Sequence, residues 1–376
     1  MALRRKKSGG IGRPEGFGYP RPVSTPGGNG EARTGKPPTL RDVAREAGVH
    51  VSTVSRVLND QAAAGRITQD TDERIREVAR RLGYRRNSIA RALRTGRTLV
   101  VGMVVPDVAN LYQAGITRGA GDVLYAHGYS LILASTDDDP KHAESQVSAM
   151  LGVQADGLLY GVAREDDAVL AWLVDEGIPV VLFNRGAESR EISAVLPDDR
   201  TGTRLAVEHL LSLGHRNIVH VGGPEDVSST VNRLGTFEEV LQEAGLRGSH
   251  GFAHRHTEEE GYRVTSDLLE ERPDTTAVLA ANDRLALGAI DAIREAGRSC
   301  PEDVSVVGFN DMPYGDRFSP PLTTVHISQN NLGSMAAKLL LETIADPGRP
   351  AETHLAAPEL VVRGSTAPAQ TDRSSL

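Results

Sequence analysis

The side chains with the clearest chemistry lie in one short segment, residues 50–59, which reads H-V-S-T-V-S-R-V-L-N. Val54, Val57 and Leu58 recur at helical spacing and predict one apolar helix face. The polar side chains left off this face are Ser52, Ser55, Arg56 and Asn59. Their hydroxyl, guanidinium and amide groups hydrogen-bond base edges and phosphate oxygens, which is the chemistry of nucleic-acid recognition rather than of catalysis. An ordinary helical hairpin in a core is the alternative.

A second short helix directly before this segment would position it. Leu40, Val43, Ala44 and Ala47 fall at i, i+3, i+4 and i+7, and Thr39 with Asp42 has the spacing of a capping box. Gly48 then interrupts the pattern. Two short helices joined through a glycine turn are the outline of a helix-turn-helix.

The charge of the chain is divided unevenly. Residues 1–38 carry eight Lys and Arg against two acidic residues, and residues 39–98 carry thirteen Arg against seven acidic residues, so each segment has a charge of +6. Because the whole chain has a net charge of -8, the remainder carries -8 - 12 = -20. A basic N-terminal quarter on an acidic body is typical of a nucleic-acid-binding head on a carrier domain.

The rest of the basic quarter predicts one more helix between irregular segments. Thr68 is a good N-cap for a third helix that Gly83 ends. The arginine-rich segment 84–98 is too short for a stable isolated helix, so we expect it to become helical only against a partner. Residues 1–38 are rich in Gly, Pro and Arg and predict disorder, and an overlong annotated start is equally consistent with them.

From Leu99 onward, apolar runs alternate with amphipathic helical patterns at 140–153, 199–213, 229–245 and 284–297. The runs lie at 99–105, 130–134, 157–160, 179–183, 217–221, 277–281 and 304–309. Apolar strands separated by helices predict parallel sheets covered on both faces. About 280 residues exceed one core, so we expect two α/β lobes with a ligand cleft at the carboxyl ends of their strands.

Several classes of protein are disfavoured by what the sequence lacks. The single cysteine, Cys300, allows no internal disulfide and suits a reducing cytosol. No apolar run reaches the roughly 18–20 residues of a membrane span, and the N-terminus has no signal-peptide core, so we expect a cytoplasmic protein. No phosphate-binding glycine motif, paired metal-ligand spacing or nucleophile elbow occurs. We therefore expect no cofactor and no catalysis.

An ordered set of motifs over residues 39–364 resembles the lactose/galactose-repressor (LacI-type) family of bacterial transcription regulators. It comprises T-L-R-D-V-A-R-E-A-G-V at 39–49, T-V-S-R-V-L-N at 53–59, L-G-Y-R-R-N-S-I-A-R-A-L at 82–93, D-G-L-L at 156–159, G-T-R-L-A-V-E-H-L-L-S-L-G-H-R-N-I at 202–218, A-N-D-R-L-A-L-G-A at 281–289, P-E-D-V-S-V-V-G-F-N-D at 301–311 and P-P-L-T-T-V at 320–325. The resemblance implies a small all-α helix-turn-helix head joined by a hinge helix to a two-lobed α/β body like a periplasmic sugar-binding protein.

The resemblance also implies a homodimer whose two heads read a pseudo-palindromic double-stranded operator. Val51, Ser52 and Arg56 are expected to contact bases, and Thr39, Ser55, Asn59 and Asn87 to contact phosphates. The family's hinge helix matches residues 87–94. There Leu93 would insert at a minor-groove base step and Ala90 joins the DNA-binding positions.

Five segments follow from this reading: a basic tail (1–38), a helix-turn-helix domain (39–86), a hinge helix and linker (87–98), an effector-binding and dimerisation domain (99–364) and a flexible C-terminal tail (365–376). The N-lobe would hold 99–196 and 326–353, and the C-lobe 197–325 and 354–364. Crossovers are expected near Pro197, Val325 and His354. The carried-over cleft residues are Arg233, His256, Asn282 and Asn310, whose polar groups suit a small polar effector such as a sugar or a derivative.

Departures from the family pattern are informative. His50 stands where a serine N-cap is usual, N-L-Y-Q at 110–113 replaces N-P-F-F, Arg86 replaces a proline and Ile327 replaces a glutamine. The changes at 110–113 and at Ile327 lie near the expected pocket and predict an unusual ligand. The leading hypothesis is a repressor whose operator binding is coupled to a cleft ligand. The alternative is a solute-binding protein with an accessory head.

Overall fold

The computed structural model describes residues 38–58, 67–84, 96–187 and 191–370. The chain divides into two compact units, a head up to Asn87 and a body from Ser88. The predicted architecture of a small helical head and a two-lobed α/β body is confirmed. The predicted hinge helix at 87–94 and the basic tail up to residue 37 lie outside the described residues.

The head contains the helices α1 (Leu40–Ala47), α2 (Val51–Leu58) and α3 (Gln69–Leu82). Their apolar faces meet in one core, in which Val43, Val54 and Ile75 are fully buried. Gly48 ends α1 in a left-handed conformation (φ 64°), where a side chain would be strained, and so forms the turn into α2. Thr68 occupies the predicted N-cap position of α3, but its side chain makes no capping hydrogen bond.

The body is built from two six-stranded sheets with helices on their faces. The first sheet contains, in spatial order, β11 (Thr353–Ala356), β5 (Ala194–Pro197), β4 (Val180–Phe183), β3 (Gly157–Tyr160), β1 (Val100–Val105) and β2 (Ser130–Ser135). The second contains β12 (Pro358–Val361), β10 (Thr323–Ile327), β9 (Ser305–Asn310), β8 (Ala277–Ala280), β6 (Ile218–Gly222) and β7 (Ser249–Phe252). The paired strands are parallel except for β12, which runs antiparallel to β10 at the sheet edge.

The helices of the described body are α4 (Leu111–Ala126), α5 (Pro140–Gly152), α6 (Ala168–Asp175), α7 (Asp199–Ser212), α8 (Ser228–Glu243), α9 (Glu258–Glu271), α10 (Asp283–Glu295) and α11 (Gln329–Ala345). The helices α4 and α11 approach unusually closely. A Cβ on Gly119 would lie 2.0 Å from the Asn330 carbonyl oxygen, and one on Gly333 would lie 1.9 Å from that of Ile116. Glycine at both positions therefore allows the backbones of α4 and α11 to pack directly against each other. No described helix is both long and apolar enough to cross a membrane.

The chain passes between the two sheets after Pro197, after Ile327 and after Ala356. The last two passages lie slightly beyond Val325 and His354, because β10 pairs with β12 through Ile327 and β11 pairs with β5 through Ala356.

The expectation of a flexible tail from residue 365 is wrong for residues 365–370. Ser365 is fully buried, its hydroxyl donates to the Val306 carbonyl (2.6 Å), and the Ala369 amide donates to the Leu213 carbonyl (2.9 Å). Side-chain and backbone hydrogen bonds therefore hold this polar segment in place, although it has no apolar pattern.

Candidate functional site

The helix α2 exposes the polar face that the sequence predicts. Val54, Val57 and Leu58 are buried against the other head helices, whereas Ser52 and Arg56 are exposed. Val51 and Ser55 are partly exposed on the same helix. The arrangement presents a guanidinium and hydroxyl groups on one rigid helix, as a reader of the major groove requires.

The N-terminus of α1 is capped by the side chain of Thr39. The Thr39 hydroxyl accepts the Asp42 amide (3.4 Å) and the Asp42 carboxylate accepts the Thr39 amide (2.9 Å), which together form the capping box. The Thr39 hydroxyl also donates to the Asp42 carboxylate (2.7 Å). The hydrogen bond donated by the Thr39 hydroxyl stabilises the charged carboxylate and so holds the pKa of Asp42 below its usual range. Thr39 is therefore both a cap and a predicted phosphate contact. Asn59, Asn87, Ala90 and Leu93 lie outside the described residues.

A cleft opens between the two sheets of the body, at the carboxyl ends of their strands. It measures about 590 Å³ including space open to solvent. Residues following β1, β2 and β4 line it on one side, and residues at or after β7, β8 and β9 line it on the other. This is where ligands of open parallel sheets bind.

All four carried-over residues line this cleft. Arg233 is buried, and its guanidinium pairs with Asp199 (2.7 Å) and lies over the Phe309 ring at 3.7 Å. It also donates to the carbonyl oxygen of Ala281. Asn282 caps α10 by accepting the Leu285 amide at 2.8 Å. Arg233 and Asn282 thus have structural roles and face the cleft as well.

His256 and Asn310 complete the C-lobe side of the cleft. Burial lowers the pKa of His256 to about 3, so its imidazole is neutral at physiological pH. A Cβ on Gly223 would lie 2.3 Å from the His256 Nε2 atom, so glycine there makes room for the ring. Asn310 ends β9 with φ 102°, a conformation that side-chain-bearing residues rarely adopt.

The N-lobe side of the cleft was not predicted residue by residue. Asp138 and Arg185 form a buried ion pair there, with nitrogen–oxygen distances of 2.6 and 3.3 Å. Burial disfavours the charged form of Asp138, but the Arg185 guanidinium holds the carboxyl pKa below its usual range. Asp138 lies shortly after β2 and Arg185 shortly after β4. Their position after predicted parallel strands is the feature of the sequence that could have identified them as cleft residues.

Arg284 connects the two sides of the cleft. Its guanidinium contacts Glu258 (2.7 Å) and, across the cleft, Asp107 (2.9 Å). Among the described residues, no group of three or more His, Cys, Asp or Glu side chains is arranged to hold a metal ion. The lining of the cleft consists mostly of hydrogen-bonding and charged side chains.

A helix-turn-helix head on a two-lobed body with a polar cleft defines a ligand-responsive DNA-binding regulator. Residues 39–87 match the family model of bacterial regulatory proteins, lacI family, and residues 207–366 match that of the periplasmic binding protein-like domain. The HTH-type transcriptional repressor PurR of Histophilus somni (strain 129Pt) is 32% identical over 333 residues, which is 87% of this chain and 98% of that protein.

Two solved structures extend this similarity. The lac repressor dimer bound to operator and the anti-inducer ONPF is 28% identical with a TM-score of 0.77, covering 88% of this chain and 100% of that one. A complex of the transcriptional regulator CelR with cellobiose is 32% identical with a TM-score of 0.66, covering 87% and 99%.

The chain belongs to the lacI family of bacterial regulatory proteins. The predicted family, and a DNA-binding transcriptional regulator rather than an enzyme, are confirmed.

Proposed function

We propose that this protein is a homodimeric transcriptional repressor whose operator affinity is set by a small polar effector, a sugar or a derivative, bound between the lobes. The observation that carries the proposal is the pairing of an exposed polar recognition face on α2 with a preformed polar cleft in one chain. The relatives named as repressors and the regulator solved with cellobiose support it. DNA as a partner makes the cytoplasm its expected place of action.

The DNA contacts remain those that the sequence predicts. Arg56 and Ser52 are exposed on α2 and Val51 is partly exposed, which leaves them able to reach base edges. Arg56 would pair with guanine O6 and N7, a contact worth about 1–3 kcal/mol of discrimination. Ser55, Thr39, Asn59 and Asn87 would position the head on phosphates, and Ala90 and Leu93 would contact the minor groove.

An unpaired sheet edge supports the dimer. The strand β2 ends the first sheet and exposes Ile132 and Leu133, each by 38%. An apolar strand edge left open to solvent is an aggregation hazard unless another chain covers it. A second copy is the occupant we propose, and sedimentation velocity on the full chain tests it.

The operator is tested by fluorescence anisotropy with a labelled pseudo-palindrome from the DNA upstream of the coding region. The full chain is titrated with and without sugars, nucleosides and their phosphates. We expect salt-sensitive, sequence-specific binding that one compound weakens or strengthens. An unchanged operator affinity with every compound that binds the protein would contradict the coupling.

Two variants separate base reading from general charge. Arg56→Ala should lower operator affinity by about 10- to 100-fold relative to random DNA. Arg80→Ala removes one exposed positive charge from α3 and should weaken both DNAs alike, without loss of discrimination. If Arg56→Ala distinguished the operator from random DNA as well as Arg80→Ala does, Arg56 would be ruled out as a base contact.

A further inference from the structure

Three polar atoms at the cleft have no hydrogen-bond partner among the described residues. They are the Tyr112 hydroxyl, the side-chain carbonyl oxygen of Gln113 and the side-chain carbonyl oxygen of Asn310. Their side chains are only 2%, 3% and 8% exposed, and all three residues line the cleft. Native proteins pair almost all buried polar atoms, because leaving one unpaired is costly. Three such atoms at one cleft indicate that a bound molecule supplies the missing partners.

These atoms are held by rigid elements on both sides of the cleft. Tyr112 and Gln113 lie in the first turn of α4, which Asn110 caps by accepting the Tyr112 amide at 3.1 Å. On the other side, the Gln329 amide donates to the backbone carbonyls of Asn310 and Asp311, each at 3.1 Å, and so holds a segment with positive φ. Strained backbone that is held in this way clusters at ligand sites.

The charges of the cleft disfavour an anionic ligand. Arg185 pairs with Asp138, Arg233 with Asp199, and Arg284 with both Glu258 and Asp107. Arg255 and Asp137 line the cleft as well, so four guanidinium groups face five carboxylates in total, a net charge of -1. A phosphate or carboxylate bound at Arg185, Arg233 or Arg284 would have to displace the carboxylate that pairs with it.

The lining also disfavours a flat apolar ligand. Among the described residues that line the cleft, Pro106 is the one aliphatic residue, and the aromatic rings belong to Tyr112 and His256. A planar base is bound mainly by stacking between aromatic or apolar faces. A molecule with several hydroxyl groups instead offers donors to the two carbonyl oxygens and a partner for the tyrosine hydroxyl.

We propose that Tyr112 and Gln113, together with Asn310, are the specificity-determining residues for an uncharged polyhydroxylated effector, a sugar or polyol without phosphate or carboxylate. This inference rests on the proposed function, because it takes the cleft to be the effector site. It assigns the departure N-L-Y-Q at 110–113 to ligand recognition.

The test is isothermal titration calorimetry and thermal shift on the full chain with a fixed panel. Neutral probes are D-ribose, D-glucose, D-galactose, cellobiose and myo-inositol, and charged or planar probes are ribose 5-phosphate, glucose 6-phosphate, gluconate and adenine. We expect at least one neutral probe to bind, and to bind more tightly than every charged or planar probe. Binding of none of the neutral probes, or tighter binding of a phosphate, a carboxylate or adenine, would overturn the proposal.

Variants that remove the unpaired polar atoms identify the residues. Tyr112→Phe removes only the orphaned hydroxyl and should weaken the neutral probe about three- to tenfold, and Gln113→Leu should do the same. Tyr125→Phe removes a hydroxyl from the same helix at a side chain that is 83% exposed, and should leave affinity unchanged. Without ligand, Tyr112→Phe should melt no lower than the wild type, because its hydroxyl has no partner to lose. Unchanged affinity in Tyr112→Phe, or a lowered melting temperature that accounts for the loss, would refute the assignment.

Operator anisotropy, measured in parallel, keeps the two proposals apart. Tyr112-dependent sugar binding without any change in operator affinity would refute the coupling and leave the assignment standing. An operator that responds only to an anionic or planar probe would do the reverse.

Discussion

At the scale of single residues, the charged groups of the cleft are already oriented before any ligand arrives. Arg233 is fixed by Asp199, by the Ala281 carbonyl and by the Phe309 ring. Burial raises the pKa of Asp199, while the guanidinium of Arg233 favours its charged form. A side chain held in this way loses little freedom on binding, which preserves affinity for a small ligand.

Asp283 makes the stability of the body depend on pH. Its carboxylate is buried and accepts the Thr324 hydroxyl (2.5 Å) and the Met312 amide (2.6 Å). Burial raises its pKa from 3.8 to about 7. Between these values the folded chain binds a proton that the unfolded chain does not, so this carboxyl contributes stability that falls as pH rises towards 7.

Asp283→Asn removes this titration. We expect the melting temperature of the wild type, relative to that of Asp283→Asn, to fall between pH 5 and pH 7 and to level off above that, in thermal unfolding at constant ionic strength. Asp122→Asn, which changes an exposed carboxylate paired with Arg118, is the control and should show no such trend relative to the wild type. Parallel curves for the wild type and Asp283→Asn would show that Asp283 does not titrate in this range.

At the scale of the elements, the start of α2 is capped by an unusual residue. The His50 Nδ1 atom accepts the Ser52 amide at 3.2 Å, and the His50 carbonyl accepts the Thr53 amide at 2.9 Å. The sequence predicts a weaker cap than serine here, because an imidazole nitrogen must reach the amide from a bulkier ring.

His50→Ser should therefore stabilise the recognition helix. Good N-caps exceed poor ones by roughly 0.5–1 kcal/mol, which corresponds to about two- to fivefold more protection from exchange. Hydrogen exchange of the peptide covering 51–58 in the full chain measures this, and His50→Ala should change protection in the opposite direction. Less protection in His50→Ser than in the wild type would mean that the imidazole caps better than a hydroxyl.

The linker end of the body is held by one carboxylate. Asp156 accepts the amides of Thr98 (2.8 Å) and Leu99 (3.0 Å) and the Thr98 hydroxyl (2.9 Å). Hydrogen bonds to a charged group contribute about 1.5–3 kcal/mol each before any overlap between them. Asp156 therefore fixes the point at which the chain enters β1.

Asp156→Ala should loosen this entry point without touching the cleft. We expect faster hydrogen exchange in residues 98–105 and a lower melting temperature, with the affinity for a cleft ligand kept. Asp122→Ala, which removes an exposed carboxylate, should leave exchange in that segment as it is. Unchanged exchange in Asp156→Ala would show that the strand itself, rather than the carboxylate, holds the segment.

The apolar runs predicted β1, β2, β3, β4, β6, β8 and β9 and missed β5, β7, β10, β11 and β12. The strands at residues 157–160 and 277–280 are fully buried and were found. The strands β7 and β11 are short and lie at sheet edges, where β7 is only partly buried and three of the four residues of β11 are exposed, so neither has a buried apolar run. The pair of Asp138 and Arg185 was also missed, because residues so far apart in sequence are brought together only by the sheet.

At the scale of the whole body, the two lobes are tied together across the cleft. Arg284 contacts Asp107 at 2.9 Å, and the Gly186 amide donates to the Ser228 hydroxyl at 2.9 Å. Arg164, which follows β3 of the first sheet, also pairs with Asp226, which follows β6 of the second. These ties favour an arrangement in which both lobes reach one ligand.

Breaking one tie should shift the body towards a more open arrangement. Asp107→Asn removes the charge that faces Arg284 and leaves the pairing of Arg284 with Glu258 in place. A partly buried ion pair of this kind contributes about 1 kcal/mol, so the ratio of closed to open molecules should fall about fivefold. A ligand that needs both lobes binds in proportion to the closed fraction, so its affinity should fall by up to the same factor. Small-angle scattering of the unliganded chain should show a larger radius of gyration. Asp122→Asn, which breaks an exposed pair within one helix, should change neither quantity.

An unchanged radius of gyration together with unchanged affinity in Asp107→Asn would mean that packing at the three passages, rather than the ion pair, sets the lobe arrangement. The ligand would then act on a body that is already closed, and its effect on operator binding would have to come from the contacts it adds rather than from moving the lobes.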